Sequence, residues 1–258
     1  MIRRNAEKLY WIGRYMERAE SHSRWLDLSE EITEGVSSRE HIYSCIGNAR
    51  HNIRVLRQLL PNELWELANE LYLYVKEQES NPMLSRSPHL FYRRVREGLL
   101  LWGGAVDSGM PRDQEYHFIQ AGRSMERAAN TLQLIRSTRS RFPAESNNGM
   151  VMLLRSIGAY EAYRRHSSDN LAFGEITAFL LTHVSFPRTV HYALTELDKH
   201  LTELGGVMDF RLSPEPAVIL SRLQSMGEDE LLEGAYSACF ELGNQLGRAF
   251  IQEERAQA

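Results

Sequence analysis

The sequence predicts an all-α fold: a single multi-helix bundle over residues 1–258, with an internal duplication of a Gly-Arg-x-Met-Glu-Arg-Ala helix. Three observations carry this expectation. Apolar residues recur at helical spacing nearly throughout, and no convincing run alternates polar with apolar residues as a half-buried strand would. Pro and Gly are spread evenly instead of gathering into a flexible linker, which points to one domain. The third is the repeat itself: Gly13-Arg14-Tyr15-Met16-Glu17-Arg18-Ala19 returns as Gly122-Arg123-Ser124-Met125-Glu126-Arg127-Ala128.

The elements follow in order. A first helix is expected from about Asn5, a good N-cap, to about Thr33. The Ser37-Ser38 cap, with Glu40 in the first turn, opens a second that ends near Leu60-Pro61. Asn62 caps a third, through Trp65, Leu71 and Tyr74, and 79–87 reads as a polar loop containing Pro82. Ser87-Pro88 opens a fourth, by capping and by proline in the first turn. Gly103, Gly104 and Gly109 mark a break, after which Pro111 starts the long helix of the second repeat, ending near Phe142-Pro143. An exposed connection from Glu145 to Gly149 precedes a helix from Met150 to Arg165. Asp169 caps a segment that reaches His183, and Pro187 starts another that ends at Gly205-Gly206. Pro214 and Pro216 punctuate a loop before a short helix, Glu228 to Glu254 form the last, and 252–258 is read as frayed.

Composition limits function. Hydrophobic content of 43% and charged content of 25% are ordinary for a soluble globular chain. The net charge of −4 argues against nucleic-acid binding through overall positive charge. The first eleven residues carry Arg3, Arg4, Glu7 and Lys8 and do not form a secretory signal. The most apolar stretch, Leu171 to Val184, is interrupted by Glu175 and too short to span a bilayer. Cys45 and Cys239 fit no CxxC pattern and read as reduced thiols. A soluble, cytoplasmic protein is expected. Lys8, Lys76 and Lys199 are the only lysines, so nearly all 30 basic residues are arginine. Guanidinium binds carboxylates and phosphates in a two-pronged geometry that lysine cannot reproduce. A GC-rich genome would produce the same bias, so it points to anion binding only where arginines share a face.

On a helix, Arg14, Glu17 and Arg18 fall within one turn, as do Arg123, Glu126 and Arg127. Repeated glycines in helix interiors, each costing roughly 1 kcal/mol relative to alanine, suggest close backbone approach between the repeat helices. Glu17 is then expected to meet an arginine of the other repeat, and Glu126 to do the reverse. The alternatives are an interhelical charge network that fixes register, or surplus arginines that bind a carboxylate or phosphate. Tyr160, Glu161 and Arg164 form a second candidate group, with Glu161 placed to pair with Arg165. Arg188, beside a helix started by Pro187, is a third candidate anion contact. Arg50, Arg54 and Arg57 recur at spacings of four and three and make a ridge suited to docking a partner.

These blocks also carry a resemblance. Leu9-Tyr10-Trp11-x-Gly13-Arg14-Tyr15-x-Glu17-Arg18-Ala19-Glu20 resembles the opening signature of the bacterial alpha-E domain family. Arg112-Asp113, with Phe118 and the second heptapeptide, resembles its central signature. Asn52-x-Arg54-x-x-Arg57 with Glu63-x-Trp65-Glu66 is similar to another block, as are Gly158 to Arg165 and Phe186-Pro187-Arg188-Thr189-Val190. The likeness spans about residues 1–205. Lys8 and Ala129 depart from it, standing where the family usually has asparagine and an acid. The resemblance implies an all-helical fold and company with ATP-grasp ligases and transglutaminase-like proteins in peptide-making or peptide-modifying systems.

No ExxH pair, metal-ligand histidine spacing, GxxxxGK[ST] or GxSxG occurs, so no metal and no cofactor is expected. The leading expectation is a non-catalytic helical partner of an ATP-grasp-type ligase, binding that enzyme or an anionic peptide through arginines. One alternative is an enzyme acting on a peptide carboxylate or aminoacyl group in a pocket between the repeat helices. Another is a helical scaffold that forms a homodimer.

Overall fold

The structure, a computed structural model, describes residues 3–29, 36–78, 87–143, 146–167, 171–205, 216–222 and 228–249. Among these residues every regular element is helical: α1 (Arg3–Ser29), α2 (Val36–Val55), α3 (Asn62–Gln78), α4 (Pro88–Gly109), α5 (Gln114–Arg141), α6 (Asn147–Ile157), α7 (Tyr160–His166), α8 (Phe173–Thr182), α9 (Val190–Leu204), α10 (Pro216–Arg222) and α11 (Glu228–Ala249). None of them is long and apolar enough to cross a membrane. The chain clusters into two compact units, residues 1–123 and 124–258.

In the first unit α1 packs on α2 and α4, and α3 packs on the same two, so the four helices close a ring. The apolar stripe of α1 recurs at spacings of three, four and seven through Ala6, Leu9, Ile12, Met16, Ala19 and Leu26, all buried. Ile42, Ile46 and Ile53 of α2, Leu64 and Leu71 of α3, and Tyr92, Val95 and Trp102 of α4 are buried as well and belong to the core. Trp102 is fully enclosed, and its indole N–H donates to the Leu64 carbonyl at 3.2 Å. Burying an aromatic ring of this size contributes roughly 1.5–3 kcal/mol, provided the N–H finds such an acceptor.

In the second unit α9 packs on α8 and α10, α10 on α11, and α6 on α7 and α8. Ser146 caps α6 by accepting from Gly149 N at 3.2 Å. Thr189 caps α9 by accepting from Tyr192 N at 3.3 Å, while its hydroxyl donates to the carbonyls of His183 and Phe186.

Several boundaries differ from expectation, each for a local reason. α1 starts at Arg3, so Asn5 lies inside the helix instead of capping it. α2 gives way to turns after Val55 instead of reaching Pro61. Ser87 does precede Pro88 at the start of α4, but its side chain caps no N–H. α4 runs straight through Gly103 and Gly104, and the break falls at 110–113, before a helix that begins at Gln114. α6 begins at Asn147, where an exposed connection was expected, and Gly149 is buried against Phe142. The helix expected from Met150 to Arg165 divides at Gly158, whose φ of 75° closes α6 in the left-handed region that glycine enters without strain. Pro187 does not start a helix; α9 begins three residues later, behind Thr189. The expected ends at Thr33, Gly206 and Glu254, the Asp169 cap, the loops at Pro82 and Pro214, and the tail at 252–258 lie outside the described residues.

Candidate functional site

The repeat helices meet backbone to backbone in the first unit. A methyl on Gly13 would land on the Ile119 carbonyl oxygen and 2.9 Å from Arg123 N. A methyl on Gly122 would land on the Tyr10 carbonyl oxygen and 3.2 Å from Arg14 N. Each glycine thus faces the carbonyl three residues before its counterpart and the amide one residue after it. No space for a substrate exists at this crossing, because not even a Cβ fits.

Beside the crossing, Arg123 of α5 reaches Glu17 of α1 (Nε–Oε2 3.8 Å) and Asp107 of α4 (Nη1–Oδ1 3.5 Å). Its Nη1 also donates to Gln120 Oε1 at 3.3 Å, and Gln120 Nε2 donates to Asp107 Oδ1 at 2.5 Å. The Arg123 side chain is only 17% exposed, and Glu17 is 5% exposed. Gly103 leaves room for the guanidinium: a Cβ there would stand 3.0 Å from Arg123 Nη2. The guanidinium therefore has two carboxylates and an amide oxygen around it, which suits a positioned structural group better than an anion receptor. Further along α1, Glu20 pairs with Arg24 (2.5 Å) and Asp27 with Arg96 (2.8 Å), whose Nη1 also donates to the Ser23 carbonyl.

The remaining repeat residues are placed as follows. Arg14 lies over the rings of Tyr10 and Trp11, its Cζ 5.8 and 5.0 Å from their centroids. Arg18 and Arg127 are half-buried, and Glu126 is 2% exposed. Asp107 and Gln120 were not singled out from the sequence, and Gly103 was read there only as part of a helix break. Asp107 and Gln120 sit in different helices, so only tertiary structure reveals their pairing. The row Glu17, Glu20, Asp27, at spacings of three and seven on one face of α1, was a readable sign that this face meets arginines.

Of the expected docking ridge, Arg50 is already engaged by α3. Its Cζ lies 5.1 Å from the Trp65 ring and 4.5 Å from the Tyr72 ring, and its Nε donates to Asn69 Oδ1 at 2.8 Å. Arg54 and Arg57 are exposed, Arg57 with its Cζ 5.5 Å from the Trp65 ring. In the second unit Tyr160 lies near Arg155 and Arg164, at 5.2 and 5.9 Å. Glu161 is exposed, and Arg165 Nε donates to its backbone carbonyl at 3.2 Å instead of to its carboxylate. Arg188 sits in the turn before α9 and uses its carbonyl to accept from Thr131 Oγ1 at 2.9 Å.

A groove of about 150 Å³ lies between α3 and α4, lined by Leu67, Leu71, Tyr74, Gly98 and Leu101, with Glu70, Arg94 and Glu97 at its rim. None of the candidate site residues expected from the sequence lines it. No group of three or more metal-ligating side chains is present among the described residues.

An all-helical chain whose first and fifth helices are clasped by glycines and by a guanidinium between carboxylates is, by class, a charge-stapled helical domain. The chain belongs to the Alpha-E family, described as a predicted alpha-helical domain with a conserved ER motif, whose model matches residues 1–41 and 36–251. The two heptapeptides contain the dipeptides Glu17-Arg18 and Glu126-Arg127. No curated protein and no solved structure matches the chain.

Proposed function

We propose that this Alpha-E protein is a non-catalytic helical accessory subunit that docks an ATP-grasp-type ligase in a peptide synthesis or modification system. The observation that carries the reading is the ridge at the end of α2. Arg54 and Arg57 stand exposed, Arg57 beside Trp65, with Val55 and Leu59 also 50% and 39% exposed. Arginine and tryptophan concentrate binding energy at protein interfaces, and aliphatic neighbours exclude water around them. Arg54 makes no ion pair among the described residues, so its charge is available to a partner. Arg50, held by Trp65, Tyr72 and Asn69, stiffens the base of the ridge. The placement of Glu17 against Arg123, with no room at the glycine crossing, supports a binding role over chemistry between the repeats. A transglutaminase-like protein is the second partner under the same reading.

Co-expression with the ligase tests it. The two proteins should co-purify, and Arg54→Glu/Arg57→Glu should weaken the complex about tenfold or more while leaving the helical circular dichroism intact. Separate elution of the wild-type proteins at micromolar concentration would overturn the reading.

A further inference from the structure

We propose that the face of α4 beside the α3–α4 groove is where two copies of this chain pair, with their α4 helices antiparallel across a two-fold axis. The inference stands apart from the ligase reading, since it uses neither Arg54 nor Arg57. Leu90, Arg94, Glu97 and Leu101 follow one another at spacings of four, three and four. On a helix those positions fall within an arc of about 60° and make one stripe, roughly 16 Å long. The groove runs along its side: Arg94, Glu97 and Leu101 border it, together with Leu67 and Leu71 of α3. Leu90 and Leu101 are 55% and 60% exposed, and Leu100 is 54% exposed. A single exposed leucine is ordinary, but three on one helix beside a groove leave an apolar patch that gains by being covered.

The order of residues selects the occupant. The stripe reads apolar, positive, negative, apolar, so turning it end for end keeps leucine on leucine and inverts the charges. A two-fold axis passing between Arg94 and Glu97 performs that operation. It sets Leu90 of one copy against Leu101 of the other, and Arg94 against Glu97, each contact occurring twice. Arg94 and Glu97 already have intrachain partners: Arg94 Nη2 stands 3.4 Å from Glu70 Oε1, and Glu97 Oε1 stands 2.9 Å from Arg93 Nε. Pairing requires neither to be released. A guanidinium carries five N–H donors and a carboxylate two acceptor oxygens, so each can hold both neighbours. The charges of Arg93, Arg94, Glu70 and Glu97 sum to zero, so this face does not repel its own copy. A strongly acidic or basic partner would find no net charge here to draw it in. The stripe covers only three turns, which suits a dimer that dissociates on dilution.

Sedimentation velocity of the full chain between roughly 1 and 200 µM tests the proposal. The wild type is expected to pass from monomer toward dimer over this range. Leu90→Glu/Leu101→Glu should stay monomeric with unchanged helical circular dichroism, because both side chains lie at the surface. Arg94→Glu and Glu97→Arg should each dimerise about fivefold or more weakly than wild type, since like charges then face each other twice across the axis. An equimolar mixture of those two variants should regain the dimer, because every facing pair is then opposite in sign. Arg54→Glu/Arg57→Glu should dimerise as the wild type does, which separates this face from ligase docking. A wild type still monomeric at the highest concentration, a Leu90→Glu/Leu101→Glu variant that dimerises normally, a mixture no better than its components, or loss of the dimer in Arg54→Glu/Arg57→Glu would each overturn the proposal.

Discussion

Gly13 and Gly122 are reciprocal: each stands where a side chain would strike the carbonyl oxygen three residues before the other. Two identical heptapeptide frames therefore meet at identical positions. The contact explains why glycine stands inside long helices where alanine would favour the helix by roughly 1 kcal/mol. It also sets Glu17 of one frame within reach of Arg123 of the other.

Removing the guanidinium should be costlier than neutralising its buried partner. Arg123→Ala removes a guanidinium that faces the nearly buried Glu17, Asp107 and Gln120 at once, a loss of up to about 3–5 kcal/mol. Glu17→Gln keeps the shape and one acceptor and should cost clearly less. Asp107 is 53% exposed, so Asp107→Asn should cost under about 1 kcal/mol. Urea unfolding of the three variants checks the order.

Cys239 should be inert in the folded protein. Burial, at 2% exposure, pushes its thiol up to about 12, so almost no thiolate exists at pH 8. Both cysteines are buried. A thiol reagent at pH 8 should label neither quickly before denaturant is added, and both afterwards. The native state holds its proton more tightly than the unfolded chain, whose thiol titrates near 8.5. This contribution to stability is therefore complete below about pH 8.5 and is lost as pH rises toward 12. In Cys239→Ala the alkaline limb of the stability curve should be shallower.

His183 acts at the other end of the pH range. Burial, and then the neighbouring His166 at 4.9 Å between ring centroids, lower its pKa from the ordinary 6.5. The unfolded chain then binds the proton more readily. Stability linked to this group is present above about pH 6.5 and declines as pH falls below it. His183→Asn should flatten the dependence of the urea midpoint on pH between about 7.5 and 5.5.

The helical class was legible because apolar spacing and Pro/Gly punctuation are local properties. The doubled glycine was legible because a poor helix former placed twice in helix interiors asks for a steric reason. Gly103 misled for the same cause: it reads as a breaker, yet it stays in α4 because the Arg123 guanidinium packs where its side chain would be. Pro187 misled because proline favours helix starts, while Thr189, with a hydroxyl that can accept from Tyr192 N, set the start instead. The pairing of Arg123 with Asp107 joins two helices and leaves no periodic trace in either. Arg155 escaped notice because the turn at Gly158, which brings it to Tyr160, falls inside what reads as one continuous helix.

The reciprocal glycine contact is tested most directly by comparing Gly13→Ala with Gly104→Ala in urea unfolding. Gly104 faces open space, so its alanine variant should gain up to about 1 kcal/mol from helix propensity. Gly13→Ala should instead lose about 1–3 kcal/mol, because the methyl meets backbone that cannot move aside. Equal stabilisation by the two substitutions would contradict a backbone-to-backbone clasp between the repeat helices.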